Sequence, residues 1–405
     1  MSLAPPTRSM PYRLALLVAL MSMSIDIHFP ALSTMVDAFH STHQALQLTI
    51  SSLCVGLFLA GFIIGPMADA YGRRRVLHVC LLGFAITSFG CAWAPTLDTL
   101  LLFRFLQGVF AAGAPIIVMA ILFDWYTHEE FARMGSLIGM VITFSLALAP
   151  VIGGHLSAAF GWRSIFWFLL GACVLLSAIS LPFLPETLKE KKPFHLKQVL
   201  ASYADIFSSW QVIGHLLLPS ILIGFIVGYV SLASYYFIDV LRVPKDHYGY
   251  FQACGTLGNV LFCLFASHWT ARFGAHKVLK GGVLMAGLSG LFFLFMALFA
   301  PHDPYLLTMP VFFLAAGIAM VFSPAMSLAM RSFGREAATV SATFAAVRMG
   351  LLGVCAYFAG IIYNESVTSL AALFVTGSIL TLIVYVLLQG ATLQPTAPST
   401  AHDQT

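Results

Sequence analysis

The chain has 405 residues, 60% of them hydrophobic and 9% charged, with a formal net charge of +4 and a mean hydropathy of +0.91. A soluble domain carries roughly 25% charged residues, so this composition excludes water as the main solvent and predicts an all-α polytopic membrane protein. The seven cysteines are odd in number and form no Cys-x-x-Cys pair, which argues against a disulfide framework or a zinc site.

A spanning helix takes about 20 mainly apolar residues. By that measure twelve spans are predicted, at residues 12–38, 45–68, 76–94, 98–124, 132–158, 163–184, 210–239, 246–270, 277–299, 304–330, 336–362 and 366–389. Arg8 and Arg13 precede an apolar stretch that resembles a secretory signal, but Asp26 continues the segment and no persuasive small-x-small cleavage pattern follows. The segment therefore reads as the first helix.

With the N-terminus inside, one side of the membrane receives Arg8, Arg13, Arg73, Arg74, Arg75, Arg133, Lys189, Lys191, Lys192, Lys197, Arg272, Lys277, Lys280, Arg331 and Arg335. The other receives only Arg163, Arg242 and Lys245, while Arg104 and Arg348 fall inside spans. This bias predicts an inner-membrane protein of a bacterium with both termini cytoplasmic, and it explains the net charge as topology rather than nucleic-acid binding. The polar connector 185–209 divides a six-helix unit, 1–184, from a second, 210–390. The Pro-, Thr- and Ser-rich tail 391–405 reads as disordered.

Between spans 2 and 3 runs Gly65-Pro66-Met67-Ala68-Asp69-Ala70-Tyr71-Gly72-Arg73-Arg74-Arg75, which resembles the signature loop of the major facilitator superfamily. Physically, Asp69 at a helix end is placed to accept from the next bundle while Arg73 and Arg74 stay at the surface, making a latch; Ala70 replaces a residue that is usually basic. Ala271-Arg272-Phe273-Gly274-Ala275-His276-Lys277 reads as a faded second copy. Span 4 carries Arg104-Phe105-Leu106-Gln107-Gly108, similar to the family's Arg-x-x-Gln-Gly motif. Span 5 carries Ala149-Pro150-Val151-Ile152-Gly153-Gly154, which resembles the end of a motif of the exporters. There the glycines allow close helix approach, and Pro150 loosens the backbone for gating.

Asp26-Ile27-His28-Phe29-Pro30-Ala31-Leu32, Leu184-Pro185-Glu186-Thr187-Leu188 and Tyr248-Gly249-Tyr250-Phe251 resemble one subgroup, the Bcr/CflA family of drug exporters, with His28 where that family usually has Tyr. The resemblance implies two pseudo-symmetric six-helix bundles in the major facilitator fold. It also implies a monomer that exchanges protons for a small-molecule substrate, with no cofactor beyond the proton gradient.

An ionisable side chain inside a span is expensive and by default has a task. Asp26 is the leading candidate for proton carrier or substrate ligand, sharing a helical face with Ser22, Phe29, Pro30 and Ser33; the alternative is a carboxylate held by a neighbouring helix. His28 stands about 200° around that helix, so only one of the two would point straight into a cavity. Arg104 would act on a nearby carboxylate, with a structural bond to backbone carbonyls as the alternative. Asp124, at the end of span 4, is either a gate or an ordinary interfacial acid. Arg348, mid-way along span 11, leaves positive charge in excess of Asp26 that an anionic ligand would satisfy, unless it pairs with Glu336. Tyr229 and Tyr236 share a face of span 7, and Gln252 and Asn259 share a face of span 8; with Gln107 they complete the candidate lining, although such stripes also arise from packing.

The preferred function is proton-coupled export by alternating access. Its rivals are export of an endogenous anion such as a carboxylate siderophore, and a transporter-like sensor without sustained flux. No phosphate-cradling glycine loop and no clustered nucleophile and base are present, so the sequence reads as neither an ATPase nor an enzyme.

Overall fold

In lipid every backbone N–H and C=O must find a partner inside the protein, and the helix is the local way to do so. The computed structural model describes residues 7, 9–188, 204, 206–333 and 337–392. Among them eleven helices are long and apolar enough to cross a membrane, and the shorter apolar helix Met10–Met23 opens span 1. The spans that follow are His43–Tyr71 (span 2), Arg73–Trp93 (3), Leu97–Ala111 with Gly113–Trp125 (4), His128–Phe160 (5) and Arg163–Ser180 (6). The second half has Trp210–Tyr235 continued by a π-turn Tyr236–Val240 (7), Lys245–Phe273 (8), Ala275–Phe299 (9), Pro304–Phe333 (10), Ala337–Ile362 (11) and Val367–Thr392 (12). Most of the connector, the tail from residue 393, and Glu336 lie outside the described residues. Ala391 and Thr392, expected in the tail, are helical.

Span 1 departs from the continuous helix predicted over 12–38. It ends at Met23, passes through turns to a short 3-10 helix, Phe29–Ala31, and resumes over Leu32–Ala38. Pro30 is the cause. It has no N–H to offer the carbonyl of Asp26, and its ring would clash with that carbonyl in a regular helix. The Asp26 carbonyl instead accepts from Phe29 N at 3.1 Å, while Ile27 N reaches back to Met23 O. A break at mid-depth is tolerated only where protein surrounds it. Ile27, His28, Phe29 and Ala31 are all fully buried.

The chain repeats itself. Spans 2 and 4, 3 and 6, 1 and 5, and 1 and 6 pack together in the first half. In the second half the pairs are 8 and 10, 9 and 12, 7 and 11, and 7 and 12. The halves meet through spans 2 and 11 and through spans 5 and 8, which the same repeat also exchanges. Turns repeat as well: left-handed backbone occurs at His40 and Arg242, at Gly72 and Gly274, and at Gly161 and Glu365, each pair at corresponding connections. The copy of the signature loop around Gly274 is thus a copy in backbone shape.

Glycine sets how close the spans come. A side-chain carbon on Gly56 of span 2 would fall on the Phe105 carbonyl and lie 2.8 Å from Val109 N, and one on Gly108 of span 4 would fall on the Leu53 carbonyl. Spans 2 and 4 therefore touch backbone to backbone, the approach that small residues permit in lipid. Gly108→Val is expected to abolish monodisperse protein or lower the melting temperature by roughly 10 °C or more, as overpacking against backbone has no side chain to move. Gly139→Ala, where no atom lies within 4 Å, should change it little. Size-exclusion profiles and thermal unfolding in detergent check the pair, and equal behaviour of the two variants would contradict the close approach.

Candidate functional site

The break in span 1 faces Arg104, which has no exposed surface. Close packing of spans 2 and 4 brings its guanidinium against both. Arg104 Nε donates to the Thr49 carbonyl at 3.4 Å, and Nη1 donates to the Ser24 carbonyl at 3.1 Å and to Gln107 Oε1 at 2.8 Å. Nη2 lies 3.4 Å from His28 Nδ1, and the Phe166 ring stands 5.8 Å away. Gln107 Nε2 continues the network to Ser88 Oγ of span 3 at 2.8 Å. Five spans thus converge on one cation.

Several expectations change here. Arg104 was expected to act on a carboxylate; its partners are carbonyls, an amide and an imidazole, so the alternative of bonds to backbone describes it. Gln107 is fully buried and engaged at both ends of its amide, and does not line a cavity. The helical stripe through Asp26 does not exist, because residues 24–28 are turn. Ser22 Oγ instead donates to Val18 O within its own helix, and Ser33 Oγ donates to Asp239 of span 7. The 200° separation of His28 from Asp26 fails for the same reason, and His28 is drawn to Arg104.

Asp26 makes no hydrogen bond or ion pair among the described residues, and its Oδ1 is fully buried without a partner; His28 Nε2 is likewise unpartnered. The 3-10 turn that follows Asp26, at Phe29–Ala31, packs against span 5 and against spans 7 and 8 of the second half, so this carboxyl sits beside the place where the halves meet. Close by, a cleft between spans 7, 8 and 10 holds about 370 Å³ of empty volume, its open mouth included, lined by Tyr229, Phe237, Tyr248, Gln252, Thr256 and Thr308 among others. Gln252 Oε1 is buried there without a partner. Tyr229 serves two purposes, since its ring also packs against Phe293 and Phe374 with centroids 5.4 Å and 4.8 Å away.

Tyr236 and Asn259 do not join them. The Tyr236 hydroxyl donates to Pro301 O at 2.9 Å, and Asn259 Nδ2 donates to Ala315 O of span 10 at 3.2 Å. Both side chains bridge elements of the second half, as the packing alternative allowed.

At the face that carries the basic loops, the signature motif closes on itself. Arg73 pairs with Asp69 at 3.5 Å and also with Asp124 and the Ala120 carbonyl of span 4. The Glu186 carboxylate accepts from Arg73 N at 3.0 Å and from Arg74 N at 3.2 Å, capping the start of span 3. Gly72 makes the turn with φ +104°, and a side chain there would meet Glu186 Oε2 at 2.6 Å. The latch expected from Asp69 to the next bundle is not among the described contacts; Asp69 is held within the first half.

Within the first half Gly153 abuts the Ile27 carbonyl in the break, and across the seam a side-chain carbon on Gly154 would come within 2.6 Å of the Lys245 carbonyl at the start of span 8. Pro150 and Val151 pack against Gly249 of span 8 in the same way, at 2.7 Å and 2.6 Å. Span 5 glycines therefore hold both the break and the second half.

The far ends of the spans carry a cluster that the sequence did not announce. Asp239 accepts from Ser33 Oγ at 2.5 Å and lies 3.7 Å from His43 Nε2. The His43 ring meets Tyr235 edge-on with centroids 4.5 Å apart, and Tyr363 at 5.3 Å. Ser51 Oγ donates to Gly353 O at 2.9 Å, and His155 Nε2 lies 3.1 Å from the Tyr250 hydroxyl. All these contacts join one half to the other. No spacing rule connects residues some 200 positions apart; only the polar character of His43 and Asp239 at span ends was a signal.

The sequence matches the profile of the Major Facilitator Superfamily over residues 14–362. A bicyclomycin resistance protein homolog of Haemophilus influenzae is 24% identical over 84% of this chain and 85% of its own length. A chloramphenicol resistance protein of Pseudomonas aeruginosa is 25% identical over 82% and 79%. A solved structure of the xylose transporter XylE from E. coli, in a partially occluded inward open conformation, superposes with a TM-score of 0.71 at 15% identity, covering 97% of this chain and all of that one. With twelve spans in two repeated halves, a multi-pass membrane architecture and a profile match over most of its length, the chain belongs to the Major Facilitator Superfamily.

Proposed function

We propose that this chain is a proton-coupled exporter of small, drug-like molecules that works by alternating access between its two six-helix bundles. In this reading residues 1–184 and 210–390 move as units about the connector, in a bacterial inner membrane with the basic loops cytoplasmic. The observation that carries it is Asp26, a carboxyl at mid-depth in a helix break with no partner among the described residues. An unpaired carboxylate at that depth costs several kcal/mol, whereas a neutral carboxyl costs much less. A structural acid would have been given donors. One left without them is suited to taking a proton and losing it when water or cargo reaches the break.

Arg104, fixed by carbonyls and Gln107, holds the break in shape and places a permanent positive charge near it. The cleft with Tyr229, Tyr248 and Gln252 supplies aromatic surface and an unsatisfied amide for cargo, and the names of the bicyclomycin and chloramphenicol resistance relatives favour drug cargo. A proton entering down its gradient supplies about 2.3 kcal/mol per 100 mV and about 1.4 kcal/mol per pH unit, enough for uphill export.

Alternating access requires the contacts at the far ends of the spans to part. Ser33, His43 and Asp239 are polar groups that water can replace at small net cost, which suits a closure that opens every cycle.

Two outcomes follow. In proteoliposomes with an imposed pH gradient, Asp26→Asn should lose at least about tenfold of gradient-driven accumulation, the cost of a missing proton-coupling step of about 1.4 kcal/mol or more. Cargo binding to the purified variant should survive, and uphill pumping at the wild-type rate by the variant would overturn the coupling. Separately, oxidising a protein with Ser33→Cys and Asp239→Cys should stop flux, and reduction should restore it. Cys254 and Cys263, the exposed cysteines, are first replaced by Ser. Full flux in the cross-linked protein would contradict parting at this seam.

A further inference from the structure

Arg348 is the second arginine inside the spans, and its circumstances differ from those of Arg104. Counted along Ala337–Ile362, it lies about 16 Å from one end of the helix and about 21 Å from the other. Glu336, the acid that sequence reasoning offered as a partner, lies outside the described residues.

The guanidinium faces inward. Phe344 and Leu352, one turn to either side, are 5% and 3% exposed, whereas Tyr357, half a turn around, is 42% exposed. A side-chain carbon on Gly350 or Gly353 would come within 3.1 Å of Phe58 or 3.0 Å of Cys54 of span 2, but these glycines lie on the opposite face of span 11; Cys355 and Ala359, on the face that carries Arg348, meet Gly224 and Gly228 of span 7.

Arg348 Nε is buried without a partner, and none of its nitrogens has a protein hydrogen bond or an acid within ion-pair distance among the described residues. Its one favourable neighbour is the Phe344 ring, 5.6 Å from the guanidinium carbon. A cation–π contact is worth about 0.5–2 kcal/mol, well short of what burying an unpaired cation costs. Arg348 as a residue is only half-buried, so part of its surface is left uncovered by protein. Arg104 is given four acceptors, the Ser24 and Thr49 carbonyls, Gln107 Oε1 and His28 Nδ1, whereas Arg348 has none among the described residues.

We propose that Arg348 anchors a binding site for an anionic group, a carboxylate, sulfonate or phosphate, on small molecules that reach the face of span 11 turned toward span 7. Its planar fork of donors suits a two-oxygen group, and the missing protein acceptor is the place the ligand fills. The proposal deepens the export reading by naming a class of cargo. It rests on that reading only for the route by which the anion arrives.

The test uses binding to purified, full-length protein with two dyes on one ring system, anionic 5-carboxyfluorescein and cationic rhodamine 6G, followed by fluorescence polarisation. Wild type is expected to bind carboxyfluorescein, Arg348→Gln to weaken it by about tenfold or more, and Arg348→Lys to retain part of it, with rhodamine binding unchanged in both. Without ligand, Arg348→Gln should melt at or above the wild-type temperature, because it removes an unpaired buried charge. Carboxyfluorescein bound no more tightly by wild type than by Arg348→Gln would overturn the site. So would a ligand-free fall of several degrees, the mark of an arginine held by a structural partner. Failure of gradient-driven rhodamine flux in wild type would instead strike the export reading and leave this site standing.

Discussion

A guanidinium enclosed by a membrane protein must be given acceptors from the backbone or from other buried groups, and Arg104 shows how much of the fold that demand organises. It takes the Ser24 carbonyl because span 1 stops being helical there, and the Thr49 carbonyl because Gly56 and Gly108 let spans 2 and 4 touch. Gln107 passes the network on to span 3. Remove the break and the carbonyl of Ser24 turns back into its own helix; remove the glycines and the cation cannot reach span 2. The acid beside this arrangement, Asp26, receives none of these donors, and its isolation is the chemical asymmetry on which the proposed coupling depends.

The seam between the halves is built from two kinds of contact. Glycines bring backbone to backbone at Gly154 and Gly249, and polar groups meet at the far ends of the spans, with Asp239 accepting from Ser33 and facing His43. Aromatic rings join them there, His43 against Tyr235 and Tyr363. The basic face is different: Arg73, Asp69, Asp124 and Glu186 tie spans 2, 3, 4 and the chain after span 6 into one rigid corner.

Much of this was legible from residues alone. Spans of apolar residues fell within a few positions of the observed helices because lipid forces the chain to bury its backbone polar groups locally, and the second copy of the signature loop was visible at Gly274. Less legible was span 1. Pro30 stood in the middle of a predicted helix, and its missing N–H signalled the break, but the apolar run on both sides spoke for continuity. Reading Asp26 and His28 on a helical wheel then placed them on faces that do not exist. Tyr236 and Asn259 shared a periodic face with better-placed residues, yet Pro301 and Ala315 claimed them first.

The sequence by itself determined the solvent, the number of spans, the internal repeat and the identity of the ionisable residues at depth, because each depends on the local balance between apolar side chains and backbone hydrogen bonds. Only the tertiary structure decided which of those residues are partnered. Arg104 and Arg348 look alike as letters in apolar stretches, and one is surrounded by acceptors while the other has none among the described residues. That difference arises from which backbones glycine allows to approach, and from where proline opens a helix to offer its carbonyls, neither of which a residue's own neighbours in the chain reveal.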